Sequence, residues 1–463
     1  MLNNLSIQWH ITADCNNRCR HCYMFDKKTY EIEKAGELSD SELFKIIENI
    51  EAFEKKWNAE IKHFAITGGD PLLRKNWFEF VKTLRNKNKS VSMMGNADTL
   101  TEENLKKLSE LGILRYQLSL DGLEEKHDYI RGKGNFQKTI KGIEKLSQFG
   151  IHSQIMFSMN AENKDDLIPL LNFIANNSSA KSFSFDVVSS VGNAKNHLSG
   201  ELNSQVLYKI FREYLTEKKR LAAAGNPIRL NEKPNLFNVL RATDGDEYIN
   251  SAKEISVISG CLIGWTCVCI LSNGDVLACR RFPLKIGKMP EQSFEDIFLG
   301  SKELRKFRRP EYFEECGNCE YYKICRGCPA VVYGFTGNPF AKNPLCFKDL
   351  LKPKKTFLKQ NAAAIPIDVS YEDEYNLIAN KAPVKFSNDI AILLNKEDIQ
   401  TAILKLENKT EKRLFINNPE EYCKNNDLHL TDYEKIFVTR WDKSLLKLNK
   451  QKILTYIFRK QLS

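Results

Sequence analysis

From residue 5 to about 190, short apolar runs alternate with stretches whose apolar residues recur every three or four positions. That is the pattern of strands followed by amphipathic helices in a parallel α/β domain. Six strands are predicted, Leu5–Thr12, Lys62–Thr67, Ser90–Asn96, Arg115–Leu120, His152–Met159 and Ser182–Ser189. The helices between them carry their own punctuation. Ser39 and Glu42 form a capping box ahead of Leu43, Ile46, Ile47, Ile50, Phe53 and Trp57, which share one helical face. Thr101 opens a helix containing Leu105, Leu108 and Leu111, and Gly112 stands where a left-handed cap ends it. A third helix, with Phe136, Ile140, Ile143 and Leu146, ends at Gly150. Each apolar stripe is expected to face the sheet.

Past residue 190 the pattern changes. Residues 191–255 read as a helical connection without chemical motifs. Residues 256–350 read as a small domain of short elements with Gly and Pro punctuation, organised by metal rather than by a large core. Residues 351–463 read as a mostly helical extension of unassigned role, and neither repeats nor low-complexity tracts interrupt the chain.

Composition narrows the class. With 463 residues, 42% hydrophobic and 28% charged, the chain has the balance of a folded soluble protein of two or three domains. No run approaches the roughly 18 apolar residues of a spanning helix, and the opening Met1–Ser6 lacks the basic and apolar regions of a signal peptide. The cytoplasm is therefore the expected compartment, with no membrane partner. The net charge of +10 is spread through Lys-rich helices, densest at Lys352–Lys355, and no aromatic-interleaved basic stripe points to nucleic acid. Such a surface suits an acidic peptide or an acidic electron carrier.

The 13 cysteines alter this picture most. In a reducing compartment they favour metal binding over disulfides. They are also clustered: three lie between 15 and 22, four between 261 and 279 and four between 316 and 328, with Cys346 and Cys423 apart. Cys269 and Cys423 read as packed thiols. Cys15-Asn-Asn-Arg-Cys19-Arg-His-Cys22 puts three thiols on one loop directly after the first strand. Three thiolates on a four-iron cubane leave one iron open to chelate the amino and carboxylate groups of a small molecule. A structural zinc site wants a fourth ligand, and the spacing, even with His10 and His21 near, does not match a zinc knuckle.

C-x-x-x-C-x-x-C after the first strand of a parallel α/β domain resembles the radical S-adenosylmethionine (radical SAM) superfamily. Thr67-Gly68-Gly69-Asp70-Pro71-Leu72, after the second strand, is similar to that family's glycine-glycine-acid motif. The resemblance implies a partial (β/α)6 TIM-like barrel over residues 1–190 and a cluster that cleaves S-adenosylmethionine to a 5′-deoxyadenosyl radical. It also implies that Gly68, Gly69 and Asp70 bind the methionine ammonium, the glycines by close backbone approach and the carboxylate by charge. Asn96 matches a polar position near the ribose. Ser119 and Arg131 match SAM contacts, beside their plainer readings as a strand-end hydroxyl and a helix salt bridge. His21 matches a position that lies against the adenine.

The later cysteines resemble the SPASM extension of such enzymes. Carried over by position, Cys261, Cys267, Cys279 and Cys328 hold one auxiliary 4Fe-4S cluster, and Cys316, Cys319, Cys325 and Cys346 hold a second. Cys325-Arg-Gly-Cys328 is one residue shorter than the usual spacing, and Cys269 is the substitute ligand should one be displaced. Two zinc ribbons are the alternative reading of these eight thiols.

The resemblance implies a ribosomally made precursor peptide as substrate, hydrogen abstraction from a peptide carbon, and a thioether or carbon cross-link as product. A low-potential flavodoxin or ferredoxin would donate electrons, and the leader would be held by the tail or by a separate protein. Sulfatase maturases place an aspartate after the ligand matching Cys279. Here that residue is Arg280, which makes protein oxidation to formylglycine the runner-up. An electron-transfer protein or a zinc-structured binding protein stands as the non-enzymatic reading, and neither would need a SAM pocket.

Overall fold

The computed structural model describes residues 2–24, 27–197, 202–233, 235–246, 259–351 and 366–381, together with 401–402, 405–406, 408, 410–411, 414–415 and 418–430. Residues 1–383 form one compact unit and 384–463 a second.

All six predicted strands are present: β1 Leu2–His10, β2 Ala59–Thr67, β3 Ser90–Met94, β4 Arg115–Ser119, β5 His152–Met159 and β6 Ser182–Val187. They pair in parallel in chain order, as right-handed strand–helix repeats require. Alternation along each strand separates two faces. Ile7, Trp9, Phe64, Ile66, Leu118 and Phe157 are fully buried on the face that the helices cover. The intervening residues, among them Gln8, Gln117 and Asp186, turn to the concave side. The helices start and stop as their caps predict. Ser39 and Glu42 exchange capping bonds at the head of the Asp40–Trp57 helix, Thr101 caps the Glu102–Glu110 helix, and Gly112 and Gly150 take left-handed conformations.

Two departures follow from residues distant in sequence. The 191–255 connection also contributes a seventh strand, β7 Arg229–Asn231, parallel to β6. At three residues it is too short to show a period. In the cysteine-rich region, β8 Cys267–Ile270, β9 Asp275–Cys279 and β10 Phe282–Lys288 do not form a separate body. β8 pairs in parallel with β1, so one ten-stranded sheet runs β10-β9-β8-β1-β2-β3-β4-β5-β6-β7. The divisions expected at 190, 255 and 350 therefore do not separate independently packed bodies, and the first unit continues to Pro383.

The reason it continues is a buried ion cluster. Glu374, in the Tyr371–Lys381 helix, accepts from Arg308 (2.8 Å) and from Arg309 (2.6 and 3.0 Å), and all three side chains are fully buried. Arg308 also donates to the carbonyls of Gly264 and Phe298, and Arg309 to that of Pro366. The start of the expected C-terminal extension is thus pinned to the cysteine-rich region. In the second unit, Cys423 is buried within the Pro419–Asn425 helix, as a packed thiol would be. Among the described residues no helix is long and apolar enough to cross a membrane.

Candidate active site

The carboxyl ends of the parallel strands open into a cleft of roughly 1160 Å³, counting the solvent at its mouth. Cys15, Cys19 and Cys22 line it together with His21, Gly68, Gly69, Asn96, Ser119 and Arg131, so nearly every residue assigned to the SAM site from the sequence meets in one place. The three thiols are close enough to disfavour one another's ionisation. Burial, reinforced by Cys19, Asp70 and Cys22, pushes the Cys15 thiol up to about 12. Thiols crowded in this way give up their protons to solvent when a cation binds in their place, which fits iron–sulfur ligation.

The glycines serve this arrangement differently from the expectation. The Gly69 N–H donates to the Thr12 carbonyl (2.9 Å) and the Asp70 N–H to that of Asp14 (2.6 Å). A Cβ on Gly68 or Gly69 would collide with those same backbone segments. The close approach is therefore to the stem of the cysteine loop, while the two residues still face the cleft. Asp70 is the third residue of the glycine-glycine-acid motif. It is fully buried and does not line the cleft; its oxygens accept from the N–H groups of Leu72 (3.0 Å) and Asn96 (2.8 Å) and from the Thr99 hydroxyl (3.0 Å). Burial outweighs these bonds and raises its carboxyl to about 6. Asp70 joins the loops after β2 and β3. Asn96, held by Asp70, reaches Asn16 of the cysteine loop (2.7 Å).

Asp121 is the residue that sequence reasoning passed over. It lies just past β4, fully buried, and accepts from His21 Nε2 (2.9 Å), from the Ser158 N–H (2.7 Å) and from Arg131. Burial opposes its ionisation, but Arg131 and His21 overcome that and hold its carboxyl well below the usual range. Arg131 in turn lies 3.6 Å from the Cys19 sulfur. His21 and Arg131 are thus both anchored to one carboxylate, which fixes the cysteine loop from two sides. The signal was the Leu-Asp-Gly step after strand four, polar where a buried strand end should be apolar.

Asp121→Asn keeps the shape but removes the charge. We expect SAM cleavage to fall by about 10- to 100-fold, as for outer groups that orient metal ligands, with a parallel loss of iron. Measurement of 5′-deoxyadenosine and iron per chain checks this; unchanged values would show that Asp121 does not position the loop.

His127 supports Asp121 from behind. Its Nδ1 accepts the Asp121 N–H (3.0 Å) and its Nε2–H donates to Asn135 (2.9 Å), an arrangement that requires neutral imidazole. Burial, with Arg131 beside it, lowers its pKa to about 4. The unfolded chain binds that proton near pH 6.5, so the folded state keeps its full stability above that pH and loses it as pH falls towards 4. Between pH 7 and 4.5 the unfolding free energy should drop by about 2–3 kcal/mol more in the parent than in His127→Gln, measured by denaturant titration.

The later cysteines lie in two neighbourhoods. Cys316, Cys319, Cys325 and Cys346 rim a second cavity of roughly 330 Å³. Cys328 and Cys279 lie near enough to help raise the Cys261 thiol pKa, and Cys279 that of Cys328, with burial the main cause in both. Cys269 pairs with Leu277 across β8 and β9, and continuing that register sets Cys267 against Cys279. The short Cys325–Cys328 link is accommodated by two successive left-handed residues, Arg326 (φ 59°) and Gly327 (φ 57°). Arg326 is strain-bearing there, and its guanidinium is held by the carbonyls of Cys261, Ile263 and Phe307. Among the described residues no three His, Cys, Asp or Glu side chains converge as one mononuclear ion requires. Thiols spread around a cavity suit a cubane better than zinc. Cys269 is fully buried beside Cys279, consistent with a packed thiol.

A parallel half-barrel with three thiols on the loop after its first strand and two four-thiol sets beyond it defines an iron–sulfur enzyme built to cleave SAM. The radical SAM superfamily profile matches residues 9–174, and the iron–sulfur cluster-binding domain SPASM matches residues 261–329. The chain carries a radical SAM domain followed by a SPASM domain, and its cofactors are 4Fe-4S clusters and SAM. It is 29% identical over 350 residues to the AdoMet-dependent heme synthase of Methanosarcina barkeri (strain Fusaro / DSM 804), covering 73% of this chain and 95% of that one. It is 24% identical to the antilisterial bacteriocin subtilosin biosynthesis protein AlbA of Bacillus subtilis (strain 168), covering 74% of this chain and 70% of AlbA. Streptococcus suis SuiB bound to precursor peptide SuiA shares the fold, with a TM-score of 0.55, 17% identity and coverage of 74% and 75%.

Proposed function

We propose that the protein is a radical SAM peptide maturase that abstracts hydrogen from a ribosomally made precursor peptide and forms a thioether or carbon cross-link. One observation carries the oxidative part of this reading. The cleft lined by Cys15, Cys19 and Cys22 is also lined by Arg280 and Arg281, which directly follow Cys279. A substrate in the cleft would lie between the first thiol set and Cys279 of the second. When bound, the clusters and SAM supply the 5′-deoxyadenosyl radical and an exit for the electron the substrate releases.

This chain's own residues bind and orient. Cys15, Cys19 and Cys22 would hold the SAM-binding cluster; Cys261, Cys267, Cys279 and Cys328 would hold one auxiliary cluster and Cys316, Cys319, Cys325 and Cys346 the other. Gly68, Gly69, Asn96 and Ser119 would cradle SAM, and Asp121 keeps His21 and Arg131 in register with Cys19. A flavodoxin or ferredoxin would supply the reducing electron. The formylglycine reading is weakened at Arg280, because a guanidinium cannot take the substrate proton at neutral pH.

A second reading is favoured by the similarity that spans nearly the whole length of the heme synthase. It puts a porphyrin in the cleft instead of a peptide. Anaerobic reconstitution with dithionite and SAM, followed by co-incubation with a cysteine-containing candidate precursor peptide or with iron coproporphyrin, separates the two. A peptide lighter by two hydrogens per cross-link supports the maturase, and a modified porphyrin with unaltered peptide overturns it. No 5′-deoxyadenosine with any substrate would overturn both.

A further inference from the structure

Arg280 and Arg281 are adjacent in sequence and differ in how they are held. Arg281 is fully engaged: it pairs with Asp186 (3.1 Å), donates to the Val187 carbonyl (2.9 Å) and touches the Cys328 sulfur (3.2 Å). Arg280 lines the same cleft, lies 5.9 Å from the Tyr23 ring centre and 3.5 Å from the Met94 sulfur, and among the described residues has no carboxylate partner. Asp186, which lines the same cleft, is taken by Arg281. Lys233 lies close enough to feel both guanidiniums, and burial together with their charge disfavours its cationic form. On the other side stands His10, fully buried with both ring nitrogens unpartnered, which burial and the Arg280 charge keep neutral with a pKa lowered to about 3. A half-buried guanidinium with fixed neighbours and no counter-ion is a site prepared for an anion.

We propose that Arg280 is the specificity anchor for the substrate and that the substrate is held in the cleft by a carboxylate. This rests on the reading of the cleft as the place where radical chemistry occurs, and it adds the chemical class that the substrate must carry. Arg280 makes the directed bond, and Arg281 supplies a positive field beside it. An acidic peptide residue, a peptide C-terminus and a porphyrin propionate share the required group.

The test uses the reconstituted holoenzyme with SAM and two probe pairs. One is a fluorescein-labelled peptide with a glutamate beside a cysteine, against its amidated glutamine counterpart. The other is iron coproporphyrin III against its tetramethyl ester. Binding is read by anisotropy and by the Soret band. At least one acid should bind; it should weaken about tenfold or more in Arg280→Gln and recover in part in Arg280→Lys, while its neutral counterpart binds weakly to all three. Which acid binds identifies the source of the carboxylate. Failure of both acids to bind, equal binding of acid and neutral probe, or equal binding by parent and Arg280→Gln would each overturn the proposal. The parent's 5′-deoxyadenosine yield, measured alongside, tells this failure from failure of the radical reading, which would abolish that product.

Discussion

Cys19→Ala is expected to abolish reductive SAM cleavage, lowering 5′-deoxyadenosine formation by at least about a thousandfold. Cys19 is the most enclosed of the three loop thiols. Burial raises its pKa, and the neighbouring Arg131 favours the thiolate and so opposes that rise. Losing this ligand leaves two thiols, too few to hold a cubane with one open iron. The substitution should remove about four irons per chain while iron on Cys316, Cys319, Cys325 and Cys346 remains, because those thiols rim a separate cavity. Iron analysis, the visible spectrum and product quantification check it together. Full iron content with undiminished product would refute the assignment of the Cys15–Cys22 loop.

The second large effect concerns stability and lies away from the cleft. Glu374→Gln should lower the unfolding free energy by about 3–5 kcal/mol, the usual consequence of removing one partner from a buried charge cluster. Arg308 and Arg309 would remain fully buried without a counter-charge. Burial, with Arg309 and Arg305 beside it, lowers the Arg308 pKa to about 10 even with Glu374 acting against that. Replacing Glu374, Arg308 and Arg309 together by Met should recover much of the loss, since an apolar cluster of similar volume needs no compensation. Denaturant midpoints of the two variants decide this. A single variant as stable as the parent would show that the ion cluster does not pin the 366–381 segment.

The site was legible wherever residues near in sequence act together. Cys15, Cys19 and Cys22 sit on one loop, so their spacing announces a shared ligand before any fold is known. Capping at Ser39 and Thr101 is equally local, and both caps form as expected. Asp70 shows the limit of such reading. Its motif located the turn, but whether the carboxylate faces a ligand or Thr99 and Asn96 depended on how the loops after β2 and β3 pack. Asp121 was invisible as a hub because its partners His21 and Ser158 are 100 and 37 positions away.

By itself the sequence determined the strand–helix order, the three-thiol loop and the existence of two further cysteine sets, because periodicity and short spacings are properties of neighbouring residues. The tertiary structure alone decided that β8 joins β1, so that the SPASM strands extend the barrel sheet and bring Arg280 and Arg281 into the SAM cleft. Strand pairing of that kind joins Ser6 to Cys267. Backbone hydrogen bonding is nearly indifferent to side-chain identity, so no local pattern records which distant edges will meet.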